Sequence, residues 1–145
     1  MKLRLGARGL VGCLALALAI TGFVVWAKSQ YGQPEAISVA QTFLSRLQSG
    51  DFEGAFDLTT KSGYIGKTPE DLREFAQRHT CWSGRFVWTS PPQTNGNRLR
   101  RLIKGQRIDM DEVHVEFEGT CLLGVRVRRT LDNQWRVFYF ASHAG

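Results

Sequence analysis

A chain of 145 residues with 19 Lys and Arg against 13 Asp and Glu, a formal net charge of +6 and a pI near 9.7, has room for one compact domain and not for two. Three cysteines with no C-x-x-C pair speak against a zinc ribbon and against thioredoxin-type redox chemistry. A basic balance of this size suits a nucleic-acid partner, but the first element of the chain argues for a compartment that holds none.

Leu10 to Ala27, LVGCLALALAITGFVVWA, carries no charge. At a rise of about 1.5 Å per residue the run covers about 27 Å, close to the roughly 30 Å hydrocarbon core of a bilayer. Only a helix satisfies its own backbone there, so 10–27 is predicted as one transmembrane helix despite Gly12 and Gly22. Lys2, Arg4 and Arg8 precede it and Lys28 alone follows closely, which places 1–9 in the cytoplasm and exports the rest. Trp26 and Tyr31 fall where the outer interface would lie.

Other readings of this run fit less well. A cleaved signal needs an A-x-A triplet after the apolar stretch, whereas Ala15-Leu16-Ala17 lies inside it. Leu10-Val11-Gly12-Cys13 has the form of a lipoprotein box, yet the apolar segment follows Cys13 instead of preceding it. The expected address is a bacterial inner membrane, single-pass, with 28–34 as a tether and 35–145 as a periplasmic domain. Lipid headgroups or an acidic protein face are then more natural partners than nucleic acid.

Pro34 is well placed to open a helix. Ala36, Ile37, Val39, Ala40, Phe43, Leu44 and Leu47 share one stripe at 3.6-residue spacing, opposite Ser38, Gln41, Thr42, Ser45, Arg46 and Gln48. Gly50 ends this helix, and Asp51 caps a second one carrying Phe52, Ala55, Phe56 and Leu58. Lys61 to Lys67, with two glycines, is a loop. Thr68-Pro69-Glu70-Asp71 combines a cap, a proline at the first position and an acid three residues on, starting a third helix with Leu72, Phe75 and Ala76 inward.

From Cys81 the period becomes two. Trp82, Phe86 and Trp88 share one side of a predicted strand, which Ser90-Pro91-Pro92 and Asn95-Gly96-Asn97 end. Leu99 to Ile108 is predicted as a strand or an ordered loop. Val113, Val115 and Phe117 alternate with Glu112, His114, Glu116 and Glu118 in a half-buried strand, and Leu123, Val125 and Val127 alternate with Arg126 and Arg128 in the next. Asp132-Asn133 turns the chain into Trp135 to Ala141, apolar on both faces, as a central strand covered on both sides would be. Cys81 and Cys121 form an even pair in an oxidising compartment and are expected to bridge, while Cys13 reads as a membrane-buried thiol.

Helices followed by an antiparallel meander make an α+β fold with helices on one face of a curved sheet. The pattern Ala40, Phe43, Leu47, Gly50-Asp51, Ala55, Phe56, closing with Trp135-Arg136-Val137, resembles the cystatin-like roll of the nuclear-transport-factor-2-like superfamily. The resemblance implies that the Gly-Asp pair turns between helices and that the tryptophan plugs the open end of a cone. It spans nearly all of the exported part. Anchored members of that superfamily resemble assembly components, such as the periplasmic core subunit of type IV secretion systems and respiratory-complex assembly proteins, whereas soluble members include dehydratases and isomerases.

The leading functional expectation is a non-enzymatic interaction module, an accessory or assembly subunit of a membrane protein complex, with self-association left open. Arg98, Arg100, Arg101, Lys104 and Arg107 form the densest basic cluster and are the candidate docking residues for an acidic partner or lipid headgroups. Glu112, Glu116 and Glu118 would pair across strands with Arg126 and Arg128. An alternative is a module for lipid or a small apolar ligand, with Phe43, Phe56, Trp82, Phe86, Trp88, Phe117, Trp135 and Tyr139 lining the cone. A third reading, an acid–base enzyme, has few candidates: His114 sits on the polar face by parity, His79 ends a helix, and Asp57 and Tyr64 would have to reach the cavity. The sequence presents neither a cofactor motif nor a metal-ligand spacing.

Overall fold

The computed structural model describes residues 7–79, 85–90, 93–118 and 121–143, with backbone only at 7–8, 85–90 and 143. The described chain is α+β and divides into two units, one of Met1–Tyr31 with Gln93–Asp109 and one of Gly32–Pro92 with Met110–Gly145. The sequence pattern had joined 93–109 to the C-terminal domain. The structure instead groups this segment with the apolar helix.

In the first unit, α1 (Ala7–Lys28) contains a 20-residue stretch, Gly9–Lys28, long and apolar enough to cross a membrane, and none of it is buried against the rest of the chain. The expected tether contains a short strand, β1 (Gln30–Tyr31), which pairs antiparallel with β3 (Gln93–Thr94), Gln30 opposite Thr94 and Tyr31 opposite Gln93. Leu99 to Ile108 is neither strand nor loop at its start, because α5 (Asn95–Ile103) is a helix. The Thr94 hydroxyl caps it by accepting the Asn97 N–H at 3.2 Å, and Gly105, at a φ of +66°, follows its C-terminus. The Asn-Gly-Asn signal thus lies inside a helical first turn instead of ending a strand.

The second unit opens with α2 (Pro34–Ser49), whose buried face is Ala36, Ala40, Phe43, Leu44 and Leu47, as the 3.6 spacing predicts. Gly50 ends it at a φ of +79°, a left-handed conformation that suits glycine, and its N–H satisfies the last carbonyls of the helix. Asp51 caps α3 (Phe52–Asp57) by accepting the Gly54 N–H at 2.9 Å. α4 (Pro69–Gln77) carries a full capping box between Thr68 and Asp71. The main-chain N–H of Lys67, together with the hydroxyl and main-chain N–H of Thr68, holds the Asp71 carboxyl below the usual carboxylate range.

The sheet runs in the order β2 (Arg85–Ser90), β4 (Glu112–Glu118), β5 (Leu122–Arg129), β6 (Trp135–His143), each pair antiparallel. Its inner face presents Val113, Val115, Phe117, Leu123, Val125, Val127, Val137 and Phe140 to α2, and Ala55, Leu72 and Ala76 close the same core. β6 is an edge strand among those described, not the central strand its two apolar faces suggest. The segment after α3 covers its outer side: Val137 N–H donates to the Leu58 carbonyl and Thr60 N–H to the Val137 carbonyl, both at 2.8 Å. On the outer face the Arg128 guanidinium lies 4.1 Å from the Phe138 ring centre and that of Arg126 5.9 Å from Tyr139, whereas Trp135 belongs to the core side, where Arg129 lies 4.7 Å from its ring.

Candidate functional site

The basic cluster is assembled by α5 and the turn that follows it. Spacing of three and four residues sets Arg98, Leu102 and Arg101 on neighbouring faces of one short helix. Arg98 is committed to the fold: its Nε donates to Asp109 Oδ1 at 2.8 Å, and its guanidinium lies 3.6 Å from the centre of the Tyr31 ring. Arg100 and Arg101 meet neutral oxygens. Arg100 bonds the Asn97 side-chain oxygen, and Arg101 Nε donates to the Arg107 carbonyl at 2.6 Å. Lys104 and Arg107 are exposed, and Arg107 is engaged within the chain. Beside these cations Leu102 and Ile103 are 54% and 76% exposed, an unusual position for two large aliphatic side chains.

α5 is tied to the end of α1. The Asn95 main-chain N–H donates to the Ser29 carbonyl at 3.1 Å, and its side-chain amide donates to Ser29 Oγ at 2.8 Å and the Trp26 carbonyl at 3.3 Å. Gly96 lies so close to α1 that a Cβ there would stand 3.0 Å from the Ala27 carbonyl oxygen. The buried Gln93 side chain donates to the Ile108 carbonyl at 3.0 Å, holding the return of the segment.

On the polar face of the sheet, one of the expected cross-strand ion pairs forms, Arg128 to Glu112 at 3.2 Å with both side chains about half exposed. Arg126 instead stands opposite His114 and lies 5.9 Å from the Tyr139 ring centre. His114 is on the polar face as parity predicts, 3.9 Å from Glu116. Asp57 bonds Lys61 at the surface and Tyr64 is 70% exposed, so neither faces the core. Among the described residues no three His, Cys, Asp or Glu side chains gather as a metal site would require.

Of the residues expected to line a cone, Phe43, Phe56, Phe117 and Trp135 are buried in the packed core, and Tyr139 is half-buried beside Phe75. Phe86 and Trp88 lie on β2, whose side chains are not described, and Trp82 lies outside the described residues, as does Cys81. Cys121 packs against the core, and Cys13 is a free, exposed thiol on α1. An open surface groove of about 330 Å³ is lined by Tyr64, Asp71, Glu74 and Arg78 among others, a polar lining that lacks a convergent catalytic set.

His79, which the sequence places at a helix end, closes the aromatic corner of this unit. Its ring packs on Phe75 and Phe140 at centroid distances of 5.0 and 6.0 Å. Its Nδ1 accepts the Ser142 main-chain N–H at 3.3 Å and lies 3.0 Å from Ser142 Oγ. Burial, with the neighbouring Arg78 charge, lowers its pKa from 6.5. The unfolded chain therefore takes up a proton before the folded one does, so stability present above pH 6.5 is lost as the pH falls from that value towards the folded pKa. Thermal unfolding of the full chain from about pH 8 to about pH 5 is expected to show this loss, and His79→Gln is expected to flatten it. An unchanged slope in that variant would assign the transition to another group.

No family model matches this chain, and neither the curated proteins nor the solved structures contain a match to it.

Proposed function

We infer that this chain is a single-pass membrane-anchored interaction module, an accessory or assembly subunit of a membrane protein complex whose folded domain lies on the periplasmic side of a bacterial inner membrane. The observation that carries this reading is α1, an apolar cylinder that the chain itself leaves uncovered. Lipid is the solvent that suits such a surface. The excess of Lys2, Arg4 and Arg8 over Lys28 supports a cytoplasmic N-terminus. Tethering raises the effective concentration of a small domain for a membrane partner, a gain that matters more to a subunit than to an enzyme acting on a diffusible substrate.

The cystatin-like roll is the proposed fold of the second unit, supported by α2 lying across β4, β5 and β6 and by the Gly50-Asp51 hinge between α2 and α3. A Cys81–Cys121 disulfide is part of the same reading. Arg85 pairs with Glu118, with Cys81 four residues before the one and Cys121 three after the other, within easy reach of a common point.

Affinity purification of the full-length protein from its own membranes in mild detergent, followed by mass spectrometry, tests the reading. A stoichiometric membrane protein is expected to remain bound. Recovery of the chain alone would overturn the subunit assignment, and its release from membranes by alkaline carbonate would overturn the anchor.

A further inference from the structure

We propose that α5 is an interfacial helix that holds the headgroups of anionic phospholipids, with Arg100, Arg101 and Lys104 as the headgroup contacts and Leu102 and Ile103 set into the boundary with the acyl chains. The inference rests on the reading of α1 as a retained membrane anchor. It assigns a ligand class to a segment far from that anchor in sequence.

Position comes first. Asn95 is bonded to Trp26 and Ser29, and Gly96 lies against Ala27, so α5 begins where the apolar span of α1 ends. The β1–β3 ladder, Gln30 with Thr94 and Tyr31 with Gln93, holds the same junction from the other side. Nine residues of helix extend about 14 Å, so the far end of α5 stands no more than about that distance from its start beside Ala27. Trp26, 44% exposed on the last turns of α1, is the type of residue that settles at a membrane–water interface.

Chemistry comes second. Arg98 is neutralised by Asp109, but Arg100, Arg101 and Lys104 have no carboxylate within ion-pair distance among the described residues. Guanidinium groups present forked donors that match phosphate oxygens, and a flexible lysine adds a third charge. Interleaved with these cations, Leu102 and Ile103 expose more than half of their surface. An acidic protein face would match the cations and leave the two aliphatic side chains to find a separate pocket. A membrane interface takes both at once, cations among phosphates and aliphatic groups beneath them.

Amide hydrogen exchange of full-length protein in lipid nanodiscs tests the proposal, comparing discs of phosphatidylcholine alone with discs containing about one-third phosphatidylglycerol. Exchange across α5 is expected to be about tenfold slower in the phosphatidylglycerol discs, with the difference shrinking in high salt. The triple variant Arg100→Gln, Arg101→Gln, Lys104→Gln is expected to lose that difference while keeping the protection seen in phosphatidylcholine, which comes from packing on α1. Ile103→Ser is expected to reduce protection in both discs. Equal exchange in the two discs, or a phosphatidylglycerol effect that survives in the triple variant, would overturn the lipid assignment and leave the anchor intact. Equal exchange together with loss of a co-purifying protein by the triple variant would overturn it in favour of an acidic protein partner. A chain that does not incorporate into discs would overturn the anchor and this proposal together.

Discussion

Phe140→Ala is expected to lower the unfolding free energy of the full-length protein by about 3–5 kcal/mol, a large share of the 5–15 kcal/mol typical of a domain. Phe140 is fully buried on β6, paired across the sheet with Val125, and its ring meets Phe43 of α2 at 5.3 Å and Phe75 of α4 at 4.9 Å, both edge-to-face. Truncation leaves a cavity bounded by two helices and the sheet, where close packing permits little collapse. It also removes one of the rings that desolvate His79, so the acid-side loss of stability should shrink in the same variant. Urea unfolding in detergent, with Leu131→Ser as a comparison at a fully exposed turn position, measures the effect. Equal midpoints for the two variants would mean that this aromatic corner does not hold the helices to the sheet.

Reduction of the oxidised protein is expected to lower its stability by about 4 kcal/mol, the chain-entropy value for a loop of about 40 residues between Cys81 and Cys121. Cys121→Ser should do the same, whereas Cys13→Ser, on the exposed face of α1, should leave the unfolding midpoint unchanged. Thiol titration of the unfolded, unreduced chain is expected to find one free thiol of the three cysteines. Three free thiols, or a midpoint indifferent to reductant, would show that the pair is not bridged.

Much of the second unit was legible because its signals are local. The stripe of α2, the left-handed Gly50, the Asp51 cap and the Thr68–Asp71 box each operate within four residues, and each appears as the pattern implies. The alternation of Val113, Val115 and Phe117 sets the inner face of β4 for the same reason. The sequence reading misses α5 because Asn95-Gly96-Asn97 carries a strong turn signal, which outweighs the good helix propensity of the arginines and leucines that follow. The signal that could have found it is Thr94 as a cap, followed by Leu99, Leu102 and Ile103 at spacings of three and one.

β6 shows the limit from the other side. Its second apolar face suggests a central strand, but Arg128 of the neighbouring strand lies over Phe138 and Arg126 near Tyr139, and the Leu58–Thr60 segment covers the open edge. Cover by long charged side chains leaves no periodic trace in the strand being covered.

The apolar span of α1, the amphipathic faces, the helix caps and the α+β order are all legible in the amino-acid order, because each depends on the chemistry of residues a few positions apart. Long-range contacts instead set 93–109 with α1, engage Arg98 with Asp109 and Tyr31 while Arg100 and Arg101 meet neutral oxygens, and put β6 at an edge among the described strands. These follow from contacts such as Asn95 with Trp26 and Val137 with Leu58, made between segments tens of residues apart, whose partners no local period specifies.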